Sequence, residues 1–166
     1  MNKKYFFIST PIYYVNDTPH IGHAYCTIAA DTLARFKRLQ GYDVVFSTGV
    51  DENSQKTVQT AERKKIEIGQ FIDGMAGIWK STWEKLGITF NRFIRTTSEE
   101  HRKTVLKLLE KIYNNRDIYK KKYSGLYCTG CEKFITDSDL DEGVCIYHKV
   151  EPQWIEEENY FFALSK

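Results

Sequence analysis

Two cysteine-bearing pairs stand out for their spacing. Cys128-Thr129-Gly130-Cys131 is followed, after thirteen intervening residues, by Cys145-Ile146-Tyr147-His148. Two residues between ligands let a tight turn aim both side chains at one ion, and Gly130 supplies the freedom such a turn needs. Two facing knuckles make a closed tetrahedral set. Three thiolates and an imidazole suit Zn²⁺ better than Mg²⁺ or Ca²⁺. With four protein ligands no coordination position stays open, so the ion is expected to be structural. The residues between the knuckles include Asp137, Ser138, Asp139, Asp141, Glu142 and Gly143. So polar a stretch cannot bury enough surface to fold by itself, and metal binding would supply the missing free energy. Cys26 lies far away and reads as a small packing residue.

A second constellation runs from Thr10 to His23: Thr-Pro-Ile-Tyr-Tyr-Val-Asn-Asp-Thr-Pro-His-Ile-Gly-His. It follows an apolar, strand-like run at 5–9 and opens a helix. That is the carboxyl end of a parallel sheet, where open α/β folds take ligands. A helix start offers free N–H groups and a positive dipole end to phosphate. His20 and His23, three apart, share a helical face, with Gly22 bare between them. Two imidazoles there can donate to phosphate oxygens as charge builds on phosphorus. On these residues alone, surface histidines beside a cap remain an equal alternative. A metal-binding pair on a helix would prefer a spacing of four. Neither a Gly-x-x-x-x-Gly-Lys loop nor a Gly-x-Gly-x-x-Gly turn is present, which removes the ordinary phosphate-loop and dinucleotide readings.

The elements that must hold these groups follow from the pattern. A strand at 5–9, a loop at 10–19, a helix from about His20 to a stop at Gly41, and a strand at 44–47 make a βαβ unit, hence a parallel sheet. On the helix, Ile21, Tyr25, Ile28, Phe36 and Leu39 fall on one face, with Thr32 as the polar gap. Helices are expected at about 55–65 and 68–86, and a strand at 92–96. A capping box from Thr97 to Glu100 precedes another helix. Trp79 and Trp83, one turn apart, read as core. From Ile118 the character changes, and a small inserted subdomain is placed at about 118–150. The domains are drawn as 1–117 and 118–166, with the knuckle at about 128–148.

The 166 residues carry 24 Lys and Arg against 22 Asp and Glu, a net charge of +2, with 42% hydrophobic residues. That excludes disorder as the main description, and no single-sign field advertises nucleic acid or membrane. No apolar run approaches the roughly 20 residues of a spanning helix. The start, Met1-Asn2-Lys3-Lys4, is basic, but its apolar stretch is cut off too early for a signal peptide. A cytoplasmic location is expected, where cysteines serve metals before disulfides.

Pro19-His20-Ile21-Gly22-His23 resembles the His-Ile-Gly-His signature of class I aminoacyl-tRNA synthetases. Tyr14-Val15-Asn16, Ala30-Asp31, Arg35, the stretch Thr48 to Asn53, Phe93 to Thr97, the Cys3His knuckles and Glu158 to Phe162 extend the likeness. Together they resemble the methionyl-tRNA synthetase family over essentially the whole chain. The resemblance implies a Rossmann-like α/β fold, a parallel-sheet nucleotide-binding half-domain with an inserted zinc-knuckle subdomain. It implies that His20 and His23 are catalytic and, with Asn16 and Gly22, contact ATP. It implies that Asp51 takes the ammonium of L-methionine while Ile12 and Tyr14 line the side-chain pocket. The partners implied are ATP with Mg²⁺, L-methionine and tRNA(Met); the reaction is formation of methionyl-adenylate and transfer to tRNA.

Members of that family are much longer. Their Lys-Met-Ser-Lys-Ser loop and anticodon-binding helices have no counterpart among these residues. The chain is therefore expected to be a fragment, ending inside a strand at 160–164 and unable to complete activation alone. Two other readings compete. One is another class I synthetase, for cysteine, leucine, isoleucine or valine. The other is a zinc-ribbon module that binds nucleic acid without catalysis, using Lys120-Lys121-Lys122 beside the knuckles.

Overall fold

The computed structural model describes residues 4–165; Met1 to Lys3, part of the basic start, lie outside the described residues. Two compact units result, one reaching to Val105 and one running from Leu106. Among the described residues no helix is long and apolar enough to cross a membrane.

The first unit is built on β3 (Asp43–Asp51). It pairs in parallel with β1 (Tyr5–Ser9), with β2 (Tyr13–Tyr14) and with β4 (Arg92–Arg95). The expected βαβ unit is present, with α1 (Ile21–Leu39) as its crossover. Strand β3 continues four residues beyond the predicted end at Ser47. The short β2 emerges from the predicted loop because Tyr13 and Tyr14 add to the far end of β3, opposite Val50 and Asp51. Gly49 makes the β3–β4 approach possible: a Cβ there would stand 2.2 Å from the Ile94 carbonyl oxygen. Asn91 extends the pairing with its side chain, accepting from Phe46 N–H and donating to the Val44 carbonyl. Helices α2 (Gln55–Lys64) and α3 (Ile68–Lys85) follow. Gly41 and Gly87, at φ of 83° and 70°, sit just past α1 and α3, where a left-handed residue ends a helix.

The apolar face read on α1 is its outer one. Ile21 and Leu39 are each 88% exposed, whereas Thr27, Asp31 and Ala34 are buried. Polar satisfaction decides this. Thr27 Oγ1 donates to the His23 carbonyl and meets the Tyr13 hydroxyl. Asp31 accepts from Thr89 N–H and Oγ1 and from Arg35 Nε. Small residues let the helix approach closely, and these bonds remove the cost of burying polar groups. Trp79 and Trp83 are 1% and 0% exposed, in the core as expected.

The predicted box from Thr97 to Glu100 does not form. Thr97 gives its hydroxyl and N–H to Glu52 instead, and Ser98 Oγ accepts the His101 N–H at the start of α4 (Glu99–Asn114).

The second unit takes in the later part of α4. Its frame is a two-stranded ribbon: β5 (Ile118–Cys128) runs antiparallel to β9 (Gln153–Phe162) over ten residue pairs. The ribbon starts at Ile118, where the character of the sequence changes, and β9 ends at Phe162, ahead of the predicted Leu164. Strand β6 (Lys133–Ile135) pairs with the end of β5, while β7 (Leu140–Asp141) and β8 (Val144–Cys145) form a small hairpin. Cys128, Ile135 and Cys145 are its buried centre. The lysine run lies along β5; Lys120 pairs with Glu158 across the ribbon.

Candidate functional site

The carboxyl ends of the parallel strands and the start of α1 enclose a cleft of about 400 Å³. Ile12, Tyr14, Asn16, His20 and His23 line it, joined by Tyr13, Asp17 and Trp79. Five residues singled out from sequence therefore meet in one place. Gly22 and Asp51 do not line it.

His20 is the N-cap of α1 and His23 its third residue. His20 Nδ1 accepts the Gly22 N–H at 3.1 Å, and His23 Nδ1 accepts the His20 N–H at 3.2 Å. This is a capping box made of imidazoles, whose ring centroids lie 3.7 Å apart. Gly22 leaves room for the cap itself, since a Cβ there would lie 2.9 Å from His20 Cε1.

His23 also packs against Tyr13 and Trp79, each at 4.8 Å between centroids. Trp79 stacks on Tyr13 and donates its Nε1–H to the Asp17 carbonyl at 3.1 Å. Thus Trp79, read as core alone, also forms the cleft floor and anchors the loop before α1. Burial, then the proximity of His20, holds the His23 imidazole below its ordinary value. Burial pushes the Tyr13 phenol up, against a hydrogen bond with Thr27.

Asp51 ends β3 directly beside Tyr14 of β2. In-register neighbours in a sheet project to the same side, so the carboxylate and the Tyr14 phenol share a face. Asp51 Oδ1 accepts the Asn53 N–H at 3.0 Å, and its carbonyl accepts from Val15. The next residue, Glu52, has no side-chain exposure. Its carboxylate takes Arg95 Nε at 2.8 Å and the Thr97 hydroxyl at 2.6 Å, while its own N–H donates to Thr96 Oγ1. Arg95 reaches on to Asp73 of α3. This clamp fixes the β3 end that carries Asp51. Neither the stretch Thr48 to Asn53 nor that from Phe93 to Thr97 carries a local signal that the two meet.

In the second unit Cys128, Cys131, Cys145 and His148 bring one ligand atom each to within 4.8 Å of one another. Cys131 Sγ lies 3.5 Å from Cys145 Sγ and 3.2 Å from His148 Nδ1. Burial and then the Cys145 and Cys128 thiols push Cys131 up to about 11. Burial also acts upward on Cys145, yet the backbone N–H groups of His148 and Tyr147 bring it down to about 6. Thiols so close cannot all ionise without a cation among them, and the four donors fit one. Gly130 serves space rather than a special φ: a Cβ would fall 2.5 Å from His148 Cγ. Cys26 is part-buried on α1 and takes no part.

A family model described as tRNA synthetases class I (M) matches residues 6–153. A methionine–tRNA ligase of Clostridium tetani is 47% identical over 166 residues, covering 100% of this chain and 26% of that protein. One from Thermotoga maritima is 48% identical over 165 residues, covering 97% and 26%. The solved structure of Mycobacterium tuberculosis methionyl-tRNA synthetase in complex with methionyl-adenylate matches with a TM-score of 0.88 at 38% identity. It takes in 99% of this chain and 33% of that one. The chain spans about a quarter of the length of the curated relatives it matches.

Proposed function

The chain belongs to the class I tRNA synthetases of the methionine type, and from that premise we propose that it carries the nucleotide- and amino-acid-binding part of a methionine–tRNA ligase. The observation that carries the reading is the meeting of Ile12, Tyr14, Asn16, His20 and His23 around one cleft at a parallel-sheet end. ATP, as its Mg²⁺ complex, is the proposed nucleotide. Its α-phosphate lies against the start of α1, where Asn16 and Gly22 accompany the two imidazoles. His20 and His23 donate to phosphate oxygens as the methionine carboxylate attacks the α-phosphorus, the bond to the bridging oxygen breaks and pyrophosphate leaves with its Mg²⁺, giving methionyl-adenylate. Positioning and charge stabilisation dominate such a transfer, and the site needs no nucleophile of its own. Ile12 and Tyr14 receive the thioether, and Asp51 pairs with the ammonium. The acceptor of the activated acyl group is tRNA(Met), and the proposed compartment is the cytoplasm.

Zn²⁺ is the proposed occupant of the Cys128, Cys131, Cys145 and His148 cluster, where it would tie β5 and β6 to β8. Its contribution there is structural, because all four positions belong to protein donors.

Calorimetric titration of the chain with AMP, ATP–Mg²⁺ and L-methionine tests the reading. Saturable nucleotide binding that weakens at least about tenfold in His20→Ala or His23→Ala is expected, the loss of a charge-sensing hydrogen bond being worth about 1.5–3 kcal/mol. Methionine binding is expected to depend on Asp51 and to exceed that of valine or cysteine. No nucleotide binding by a folded chain, or binding indifferent to both histidines, would sink it.

A further inference from the structure

His20 and His23 wall the cleft and cap α1 at the same time. Each ring spends Nδ1 as an acceptor, His20 toward Gly22 N–H and His23 toward His20 N–H. An imidazole nitrogen that accepts an N–H bears no proton, so a neutral ring must carry its proton on the other nitrogen.

We infer that the cap locks both histidines as Nε2–H tautomers, making them a matched pair of hydrogen-bond donors that selects oxyanions, such as phosphate oxygens, and rejects metal cations. Metal ligation through Nε2 would require the proton to move to Nδ1, and that would break the cap bond.

Three further observations support the lock. The rings stack at 3.7 Å with planes 29° apart. Charging both rings at that separation is disfavoured by repulsion, and charging either one ends its acceptance of a backbone N–H. Gly22 admits the His20 ring where a side chain would displace it. The groups facing the pair are the neutral Tyr13 phenol from β2, Trp79 from α3, and Asp17. Asp17 is the carboxylate lining the cleft, and its Oδ1 is turned to Thr18 N–H and hydroxyl.

The oxyanion half of the inference rests on the proposed nucleotide site; the tautomer half stands on the cap alone. The test is a long-range ¹H–¹⁵N correlation spectrum of the ¹⁵N-labelled chain near neutral pH. Both rings are expected to show an unprotonated Nδ1 and a protonated Nε2. A ring in the Nδ1–H form, or a rapidly exchanging mixture, overturns the lock. Gly22→Ala is expected to shift the His20 signals toward such a mixture, and a ring unmoved by the added Cβ counts against the cap as its cause. AMP should move both Nε2–H signals; if it leaves them still while the tautomers hold, only the oxyanion half falls. With the Cys128, Cys131, Cys145 and His148 cluster first filled by one equivalent of Zn²⁺, a second equivalent should leave both rings unperturbed. Preferential broadening of His20 and His23 by Zn²⁺ overturns the claimed rejection of cations.

Discussion

Glu52, at the end of β3, is held by Arg95 of β4 at 2.8 Å with its carboxylate wholly withdrawn from solvent. A buried ion pair adds little net stability, but removing one partner leaves an uncompensated charge. Arg95→Met is therefore expected to cost about 3–5 kcal/mol in urea unfolding. Glu52→Gln should cost less, since the amide oxygen still accepts from Arg95. A loss below ~1 kcal/mol for Arg95→Met, the range of an exposed pair, would show that the clamp does not carry the sheet end.

Gly49 of β3 stands opposite Ile94 of β4. Its substitution by alanine forces a methyl to within 2.2 Å of a backbone carbonyl, and backbone cannot rotate away as a side chain can. Gly49→Ala is expected to destabilise the first unit by about 1–3 kcal/mol or more. A thermal midpoint equal to wild type would refute the close packing.

The knuckle should behave as a metal-dependent fold. A chelator is expected to erase the dispersed amide signals of residues 128–148, and one equivalent of Zn²⁺ to restore them. Cys145→Ser should prevent restoration. Gly130→Ala, which crowds His148 without removing a ligand, should weaken Zn²⁺ binding by about 10–100-fold, as losses around a ligand shell do. Retention of structure under strong chelation would contradict the metal reading.

Acid should act in two stages. His23, lowered by burial and His20, binds fewer protons folded than unfolded. Its stabilisation is complete above the ordinary value of 6.5 and falls as pH drops through it toward the lowered folded value. On Asp31 burial acts upward, but hydrogen bonds from Arg35 and Thr89 outweigh it and the carboxyl is lowered overall. Its stabilisation is present above 3.8 and disappears as pH falls through the lowered folded value. Urea midpoints across this range should show a first decline that His23→Gln removes and a second that Asp31→Asn removes. Declines unchanged in the two variants would reject the assignments.

The strand–helix–strand core was legible because local signals agree there: an apolar run, a helix ended by Gly41, then a β-branched run. The Cys128, Cys131, Cys145 and His148 cluster was legible because its four donors follow from spacing alone. The site's floor was not, because Trp79 reaches Asp17 across 62 positions and nothing local distinguishes such a tryptophan from one that only packs. The orientation of α1 escaped for a different reason. Periodicity finds an apolar face, but the inner face here is chosen by small residues and by the bonds of Thr27 and Asp31. Thr97 was drawn to Glu52 by a long-range carboxylate that local capping patterns do not contain.

The side of the sheet on which Asp51 stands beside Tyr14 follows from counting residues outward along β3 from its pairing with β1, where Phe6 meets Val44. Deleting or inserting one residue between Val44 and Val50 would therefore turn the carboxylate to the opposite side of the sheet. Losing two would restore its side but draw it back from Tyr14 by one pleat. Across this short span the chain should accept many changes of letter and almost none of length.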